Sequence, residues 1–302
     1  MFYTALTMGS GVLYREVTVK SALTRVQGMP FGWSLNPYTG CERSCSYCYA
    51  REYHARRGRD TGAGFDREID VKINFPELLA HELRRLTKRE TVALGTATDP
   101  YQQCEGRYRI TRRTLEALVA SPLPLVVITK GSMVVRDIDL LTRLDVKVCI
   151  SIGTVSEEIA HTSEPHASPP KARLEAVRRL VSAGIDAGVL AAPILPGLSD
   201  SEASLDAVAA AAAKSGATFF STRPLKLDPG VKPHYYAFLA ESFPALLPAT
   251  EARFADRVNP ERGYVDALEE RARRVRSRYK FTERPFRKPA EPAAPSQLRL
   301  AI

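Results

Sequence analysis

Six short apolar segments occur between residues 32 and 222 of the chain. Each is rich in β-branched or aromatic residues and is apolar at both alternating positions, which is typical of strands buried on both faces of a parallel sheet. The segments are GWSLN from Gly32, TVALG from Thr91, LVVIT from Leu125, VKVCIS from Val146, DAGVLAA from Asp186 and TFFST from Thr218. We therefore predict six buried strands.

Amphipathic segments lie between these strands. We predict one helix from Phe75, a second with Thr111 as its N-cap, a third that ends at Gly184, and a fourth from a cap at Ser201 to Gly216. Strands that alternate with helices predict an α/β protein with right-handed crossovers, either a doubly wound sheet or an open, partial barrel. In both, the active site lies at the carboxyl ends of the strands.

The domain organisation follows from changes in this pattern. Residues 1–30 form an N-terminal segment whose first part is ambiguous, and residues 31–232 form the strand–helix unit. Residues 233–281 contain only helical patterns. Residues 282–302 are rich in proline, alanine and charge, so we predict a disordered basic tail.

Composition bounds the size of the core and gives the chain a net positive charge. The chain has 302 residues, 44% of them hydrophobic, which is enough for one large core with an appendage. The net charge is +9, and much of the excess lies in RARRVRSRYKFTERPFRK, which favours a polyanionic partner such as nucleic acid. The alternative is a solvated basic tail. No apolar run could span a membrane and no signal peptide is evident, so we expect a soluble, cytoplasmic protein.

Three of the five cysteines, Cys41, Cys45 and Cys48, have C-x3-C-x2-C spacing. A structural zinc site normally has four ligands, and only His54 is a nearby candidate for the fourth. Three thiolates around a [4Fe–4S] cluster instead leave one iron open to a small molecule. In a cytoplasmic protein, clustered cysteines are more often metal ligands than disulfides.

This motif, with an aromatic residue just before its third cysteine, resembles the signature of the radical S-adenosylmethionine (SAM) superfamily. NPYTGCERSCSYCYAR, ALGTATDPYQ, ITKGSMVVRDIDLL and APILPGLSD further resemble the spore photoproduct lyase-like branch. The resemblance implies an α/β fold, a partial open (β/α)6 barrel with a helical C-terminal extension. It also implies a [4Fe–4S] cluster held by the three cysteines and an external electron donor of the flavodoxin or ferredoxin type. SAM bound at the open iron would be cleaved to a 5′-deoxyadenosyl radical that abstracts hydrogen.

The resemblance also assigns the cofactor pocket. Tyr47 is expected beside the adenine, with Tyr49 in the same pocket, and Thr98 and Asp99 near the methionine end. Lys130 and Ser151 match positions that contact the carboxylate and ribose, the backbone from Ala192 matches an adenine contact, and Arg223 is a weaker candidate. Each has a simpler alternative. Tyr47 could merely pack in the core, and Thr98 and Asp99 could form an Asp-Pro turn. Lys130 could be a solvated loop residue, Ser151 a hydroxyl at a strand end, and Arg223 the partner of a surface acid.

One position departs from the branch. In authentic spore photoproduct lyases a cysteine after the second strand returns a hydrogen atom to the repaired thymine, and here that position is Thr96. Spore photoproduct repair by that route is therefore not expected. Cys104, in the same loop, is the candidate catalytic thiol, with an incidental thiol as the alternative. Cys149 lies within an apolar strand and is expected in the core.

The function that follows is a radical SAM enzyme acting on a nucleic acid base in a repair- or modification-type reaction. A peptide or small-metabolite substrate is one alternative, and a non-catalytic nucleic-acid-binding iron–sulfur protein is another. The C-terminal SQLRLAI resembles peptides that dock on the replication sliding clamp, so a clamp is a further candidate partner, against a meaningless apolar terminus.

Overall fold

The computed structural model describes residues 4–8 (backbone only), 11–86, 88, 90–121 and 123–286. The strands are β1 (Thr4–Met8), β2 (Val12–Val17), β3 (Thr24–Arg25), β4 (Trp33–Leu35), β5 (Tyr38–Thr39), β6 (Glu68–Lys72), β7 (Val92–Leu94), β8 (Leu125–Thr129), β9 (Val146–Ser151), β10 (Asp186–Ile194) and β11 (Phe220–Pro224). No helix among these residues is long and apolar enough to cross a bilayer.

The helices are α1 (Arg51–Ala55), α2 (Ala63–Arg67), α3 (Phe75–Leu83), α4 (Glu105–Tyr108), α5 (Ile110–Ala120), α6 (Ile138–Leu141), α7 (Glu157–Ser163), α8 (Pro170–Ser182), α9 (Glu202–Lys214), α10 (Lys232–Ser242), α11 (Leu247–Phe254) and α12 (Arg262–Ser277). Two short 3-10 helices cover Ser132–Asp137 and Pro244–Leu246. The helices predicted after residue 232 are therefore confirmed.

The main sheet contains all six predicted strands. Its order is β11-β10-β9-β8-β7-β4-β3, and the pairs from β4 to β11 are parallel and follow chain order. β3 adds an antiparallel edge strand beside β4. Among the described residues, β11 and β3 do not pair, so the sheet is an open barrel rather than a closed one. The predicted partial (β/α)6 barrel is confirmed.

The two faces of the strands differ in what covers them. Val127 of β8 and Val148 of β9 are fully buried in one hydrophobic cluster with Leu118 of α5 and Leu180 of α8. Each such side chain contributes roughly 1.5–3 kcal/mol when it leaves water. Cys149, expected in the core, is instead only partly buried, because it alternates with Val148 and lies on the other face of β9.

The helix ends test the predicted caps. The Ser201 hydroxyl accepts from the Ser204 amide, as predicted, and Gly184 and Gly216 end their helices with φ of +82° and +77°. Thr111 is not a cap, because α5 already begins at Ile110. The Glu105 carboxylate accepts from the amides of Thr111 and Arg112 and so takes over the capping role.

A second sheet was missed in the sequence. Its order is β1-β2-β6-β5, with β2 and β6 parallel and the outer pairs antiparallel. It therefore joins the ambiguous N-terminal segment to residues on both sides of the cysteines. Because β5 belongs to this sheet and β4 to the main one, the chain between Leu35 and Tyr38 passes from one sheet to the other just before the cysteine loop.

The C-terminal arginines are used within the fold. α12 packs on α9 and β11, and Arg274 and Arg278 form ion pairs with Glu202, while Arg278 also reaches Asp206. The charge of this helix is thus largely matched by acidic partners, so it does not by itself indicate a polyanion site.

The chain continues along the barrel after α12. Phe281 stacks on Phe220 with ring centroids 5.9 Å apart, and Glu283 pairs with Lys147 at 2.9 Å. The first residues of the predicted tail therefore contact the main sheet. The SQLRLAI segment lies outside the described residues.

Candidate functional site

The cysteine loop connects β5 to α1 at the carboxyl end of β4. Gly40 precedes it with φ +83°, and a Cβ there would lie 2.9 Å from the Glu68 carbonyl oxygen, so the turn requires glycine. The Cys41 amide then donates to the Phe65 carbonyl, and the Cys48 amide to that of Cys45. The cysteine loop thus packs against β6 of the second sheet and against α2.

The three thiols are shielded from water. Cys41 is 6% and Cys45 5% exposed, Cys48 is partly buried, and all three are free of disulfides. Burial raises the pKa of the Cys41 thiol to about 12 and also raises the pKa values of Cys45 and Cys48. Lys130 opposes that shift at Cys45, as Arg51 does at Cys48, so positive charge lies close to the thiols.

The ligand set fits a cluster better than a zinc ion. A tetrahedral zinc needs four donors, with thiol sulfurs about 2.3 Å from one point. No three His, Cys, Asp or Glu side chains of the described residues stand at the spacing of a single-ion site. The Nδ1 of His54 contacts the Asp60 carbonyl and its buried Nε2 has no hydrogen-bond partner among the described residues, but His54 does not stand together with the cysteines as a ligand group. Two buried thiols and a partly buried one, with no fourth ligand grouped with them in the described part of the chain, suit a cube with one open iron.

Asp99 and Thr98 lie beside the cysteine loop, and their side chains already form hydrogen bonds with other residues of the protein. Asp99 accepts from Arg43, Thr129, the Lys130 amide and the Tyr101 amide. Burial alone would raise the pKa of this carboxyl, but Arg43 and these hydrogen bonds outweigh it and hold the pKa below its ordinary value. Thr98 donates to the Gly40 carbonyl at 2.7 Å. Through these hydrogen bonds both residues connect the end of β7 to β8 and to the cysteine loop.

Lys130 and Tyr47 meet at a buried carboxylate, Glu164. The Lys130 Nζ lies 3.9 Å from Glu164 Oε1 and 5.5 Å from the centroid of the Tyr47 ring, and the Tyr47 hydroxyl donates to Glu164. Burial would lower the pKa of Lys130, but Cys45 and Glu164 outweigh it and raise the pKa above its ordinary value. The lysine is therefore a charged group of the site, not a solvated loop residue.

Arg173 completes this arrangement. Its guanidinium pairs with Glu164, donates to the Ser151 carbonyl at 2.7 Å, and donates to the Ser168 carbonyl. Tyr47, Lys130 and Ser151 thus all touch the Glu164–Arg173 pair, which is 5% and 2% exposed. Sequence reasoning missed both residues.

A signal for Arg173 was present in the sequence. The buried positions of α8 are spaced as one helical stripe, and Arg173 lies on it between Pro170 and Val177. A charged residue on a buried stripe requires an opposite charge within the fold. The identity of that partner could not be read from the pattern.

The remaining pocket candidates differ in exposure. The Ser151 hydroxyl donates to the Ala192 carbonyl at 2.9 Å, which brings the ends of β9 and β10 together, and the Ala192–Pro193 peptide is cis. Arg223 is exposed, and its guanidinium donates to the neighbouring Thr222 carbonyl. Tyr49 is 45% exposed, and its hydroxyl donates to the Thr96 carbonyl.

Thr96 and Cys104 lie in different environments. The Thr96 hydroxyl contacts the Asn36 side chain beside Tyr49. Cys104 is 3% exposed, its amide donates to Glu42, and its thiol lies beside the same carboxylate. Burial and Glu42 raise the pKa of this thiol well above its usual range. Its assignment as a catalytic thiol stays a prediction.

Comparison with known proteins places this arrangement in a family. The model of the Radical SAM superfamily matches residues 35–207, which contain the cysteine loop, Lys130, Ser151 and Glu164. This chain belongs to the radical SAM superfamily. The cofactors of that superfamily are a [4Fe–4S] cluster and SAM, as predicted, and membership supports an enzyme.

Several relatives show how far the likeness extends. An uncharacterized protein of Mycobacterium tuberculosis is 38% identical over 78% of this chain and 72% of its own length. A radical SAM Nα-GlyT isomerase of Pseudomonas phage M6 is 29% identical over 54% of this chain and 33% of its own length.

The fold is shared with solved structures. Spore photoproduct lyase complexed with dinucleoside spore photoproduct gives a TM-score of 0.70 over 88% of this chain and 79% of that chain, at 16% identity. Streptococcus suis SuiB bound to precursor peptide SuiA gives a TM-score of 0.54 over 81% of this chain and 46% of that chain, at 11% identity. The radical SAM fold is thus shared with proteins bound to different substrates.

Proposed function

We propose that this protein is a radical SAM enzyme that abstracts a hydrogen atom from a nucleic acid base in a repair- or modification-type reaction. The observation that carries the chemistry is the set of three shielded thiols beside Lys130 and Tyr47, at the carboxyl ends of parallel strands. When bound, the cluster and SAM supply reductive sulfonium cleavage and the power to abstract hydrogen.

The residues of this chain would hold the cluster and orient SAM. Cys41, Cys45 and Cys48 would hold the cluster, and Lys130 offers a charged ammonium to a carboxylate. Glu164 keeps that ammonium in place, with its own pKa held below the ordinary value because Arg173, Lys130 and Tyr47 outweigh its burial. Tyr47 forms an aromatic wall that excludes water from the thiols.

A nucleic acid substrate is supported by one neighbour of the same fold. Spore photoproduct lyase has been solved in complex with dinucleoside spore photoproduct. The net charge of +9 agrees with a polyanionic substrate. A base reaches a buried site when it is unpaired or extruded, as in other enzymes that act on bases.

Thr96 limits the type of reaction. A hydroxyl is a poor hydrogen-atom donor, so a reaction that returns a hydrogen through this position is disfavoured. Cys104 would have to supply that hydrogen, although it is buried beside Glu42. We therefore favour modification over spore photoproduct repair.

Anaerobic reconstitution with iron, sulfide, dithionite and SAM tests the proposal. We expect 5′-deoxyadenosine, and deuterium in that product when deuterated DNA or RNA oligonucleotides are supplied. Failure to form 5′-deoxyadenosine with a loaded cluster would favour the non-catalytic iron–sulfur protein. Deuterium transfer from peptides but not from nucleic acids would favour the peptide alternative, which the fold shared with SuiB motivates. A flavodoxin or ferredoxin in place of dithionite tests the expected donor.

A further inference from the structure

Two aromatic side chains stand exposed at the mouth of the barrel. Tyr49 and Tyr53 are 45% and 44% exposed, and their rings meet edge to face with centroids 6.1 Å apart. The Tyr49 hydroxyl donates to the Thr96 carbonyl, directly after β7, which places this ring at the carboxyl end of the strands. Tyrosine is enriched at binding interfaces, because its ring is apolar while its hydroxyl keeps a hydrogen-bond partner.

A cation without an acidic partner extends this pair. Arg57 follows Tyr53 by four residues, in the turn that ends α1, where its amide donates to the His54 carbonyl, so it lies about one turn beyond the tyrosine pair. Arg57 is exposed, and no acidic side chain of the described residues pairs with it. It lies close enough to Lys72 to lower the pKa of that lysine. We call Tyr49, Tyr53 and Arg57 the α1 face.

Glu52, an acid on α1 itself, is engaged elsewhere. Glu52 accepts from the Gly230 amide and pairs with Arg56, and its side chain is only 14% exposed. The contact with Gly230 also joins α1 to the loop after β11, where Lys226 is exposed. Arg223, near the end of β11 itself, is exposed as well, so exposed positive charge also lies at the carboxyl end of this strand.

We propose that the α1 face binds a single-stranded segment of nucleic acid, with bases stacked on Tyr49 and Tyr53 and a phosphate beside Arg57. Aromatic rings bind bases of any sequence by stacking, and adjacent cations follow the backbone. A duplex hides its base faces, so this surface selects unpaired strands. This inference rests on the proposed function, because it supplies the strand whose base enters the site.

Fluorescence anisotropy with the cluster-loaded protein tests it. The probes are a labelled thymidine oligonucleotide about ten nucleotides long, the same sequence as a duplex, and a labelled polyglutamate of matched charge. We expect the single strand to bind more tightly than the duplex or the polyglutamate. Tyr53→Ala should weaken single-strand binding about 5- to 100-fold, whereas Tyr53→Phe keeps it, because stacking needs the ring and not the hydroxyl.

Substitutions of other exposed residues show whether the loss of affinity is specific to the α1 face. Arg57→Ala should reduce by about one the slope of log affinity against log salt. Arg262→Ala, which removes a charge from α12 whose side chain is 94% exposed, should leave affinity within about twofold. Met29→Ala, exposed before β4 at the amino ends of the strands, should do the same.

Three outcomes overturn the inference. Equal affinity for the duplex removes the single-strand claim, and equal, Tyr53-dependent affinity for polyglutamate assigns the face to acidic peptides. Single-strand binding that Tyr53→Ala and Arg57→Ala leave unchanged places the strand elsewhere. In that last case deuterium transfer from nucleic acid would still support the proposed function, so the two failures are distinguishable.

Discussion

Tyr47 and Tyr49 lie two residues apart in the cysteine loop, on opposite sides of Cys48. Tyr47 is 6% exposed and its hydroxyl reaches a buried carboxylate, whereas Tyr49 is 45% exposed and its hydroxyl reaches a backbone carbonyl. The first belongs to a charged network with Lys130, Glu164 and Arg173, and the second to the open α1 face. The inner side of the loop is therefore held by buried polar contacts, and the outer side is open to solvent.

This difference decides which substitutions should lower stability and which should lower only the affinity for a partner. On the inner side each polar group has a partner, so a change leaves another group buried and unpaired. On the outer side the same change exposes a group to water, and only the affinity for a partner is lost. The predictions below separate the two sides.

The thiols should give the largest effect. Cys41→Ala, Cys45→Ala and Cys48→Ala should each abolish iron and sulfide incorporation and 5′-deoxyadenosine formation, because the loop has no fourth cysteine to replace the lost ligand. Cys149→Ala removes a partly buried thiol outside the loop and should retain both. Normal cluster content in any loop variant would contradict the ligand assignment.

Glu164→Gln should come next. It leaves the Arg173 guanidinium buried without its counter-charge, which costs roughly 3–5 kcal/mol of unfolding free energy. SAM affinity, measured by equilibrium dialysis, should fall as well, because Lys130 loses the group that holds it. Glu175→Gln, which removes the exposed partner of Arg178 on the same helix, should change stability by less than about 0.5 kcal/mol.

Lys72 should make stability depend on pH. Burial, together with Arg57, lowers the pKa of this lysine from 10.5 to about 8, although Asp70 opposes the shift. Between these values the unfolded chain binds a proton that the folded chain does not, so stability rises as the pH rises from about 8 to 10.5.

The matched variant of this lysine is Lys72→Met. It should be more stable than the parent below pH 8 by on the order of 1–3 kcal/mol, and the difference should shrink in alkaline solution. Denaturant titrations at neutral and alkaline pH measure this. An advantage that did not change with pH would show that the lysine titrates normally.

The two tyrosines offer the smallest and most direct comparison. Tyr47→Phe removes a donor from the buried Glu164 and should cost about 1–2 kcal/mol of unfolding free energy. Tyr49→Phe removes a hydroxyl that water can replace at the Thr96 carbonyl, and should cost no more than about 0.5 kcal/mol. Equal costs in chemical denaturation would remove the distinction between the two sides.

The barrel could be predicted because its signals are local. Each of the six strands is a short apolar run with buried faces, and Ser201 and Gly216 mark the ends of a helix through their own backbone preferences. Thr111 failed as a cap because Glu105, six residues earlier, supplied the oxygen. The second sheet was missed because β2 and β6 alternate buried with partly exposed positions instead of forming a continuous apolar run, and because its strands come from distant parts of the chain.

The sequence by itself determined the family and the βα repeat and predicted the cluster ligands, since spacing and periodicity carry that information over a few residues. The tertiary structure decided which charges meet. Glu164 lies 117 residues from Tyr47, and Arg274 finds Glu202 across 72 residues. Such pairs follow from how the strands and helices pack, because a carboxylate is placed opposite a cation only after the backbone has brought their elements together. The same packing buried Tyr47 and left Tyr49 exposed, and so gave the two sides of one loop different surroundings.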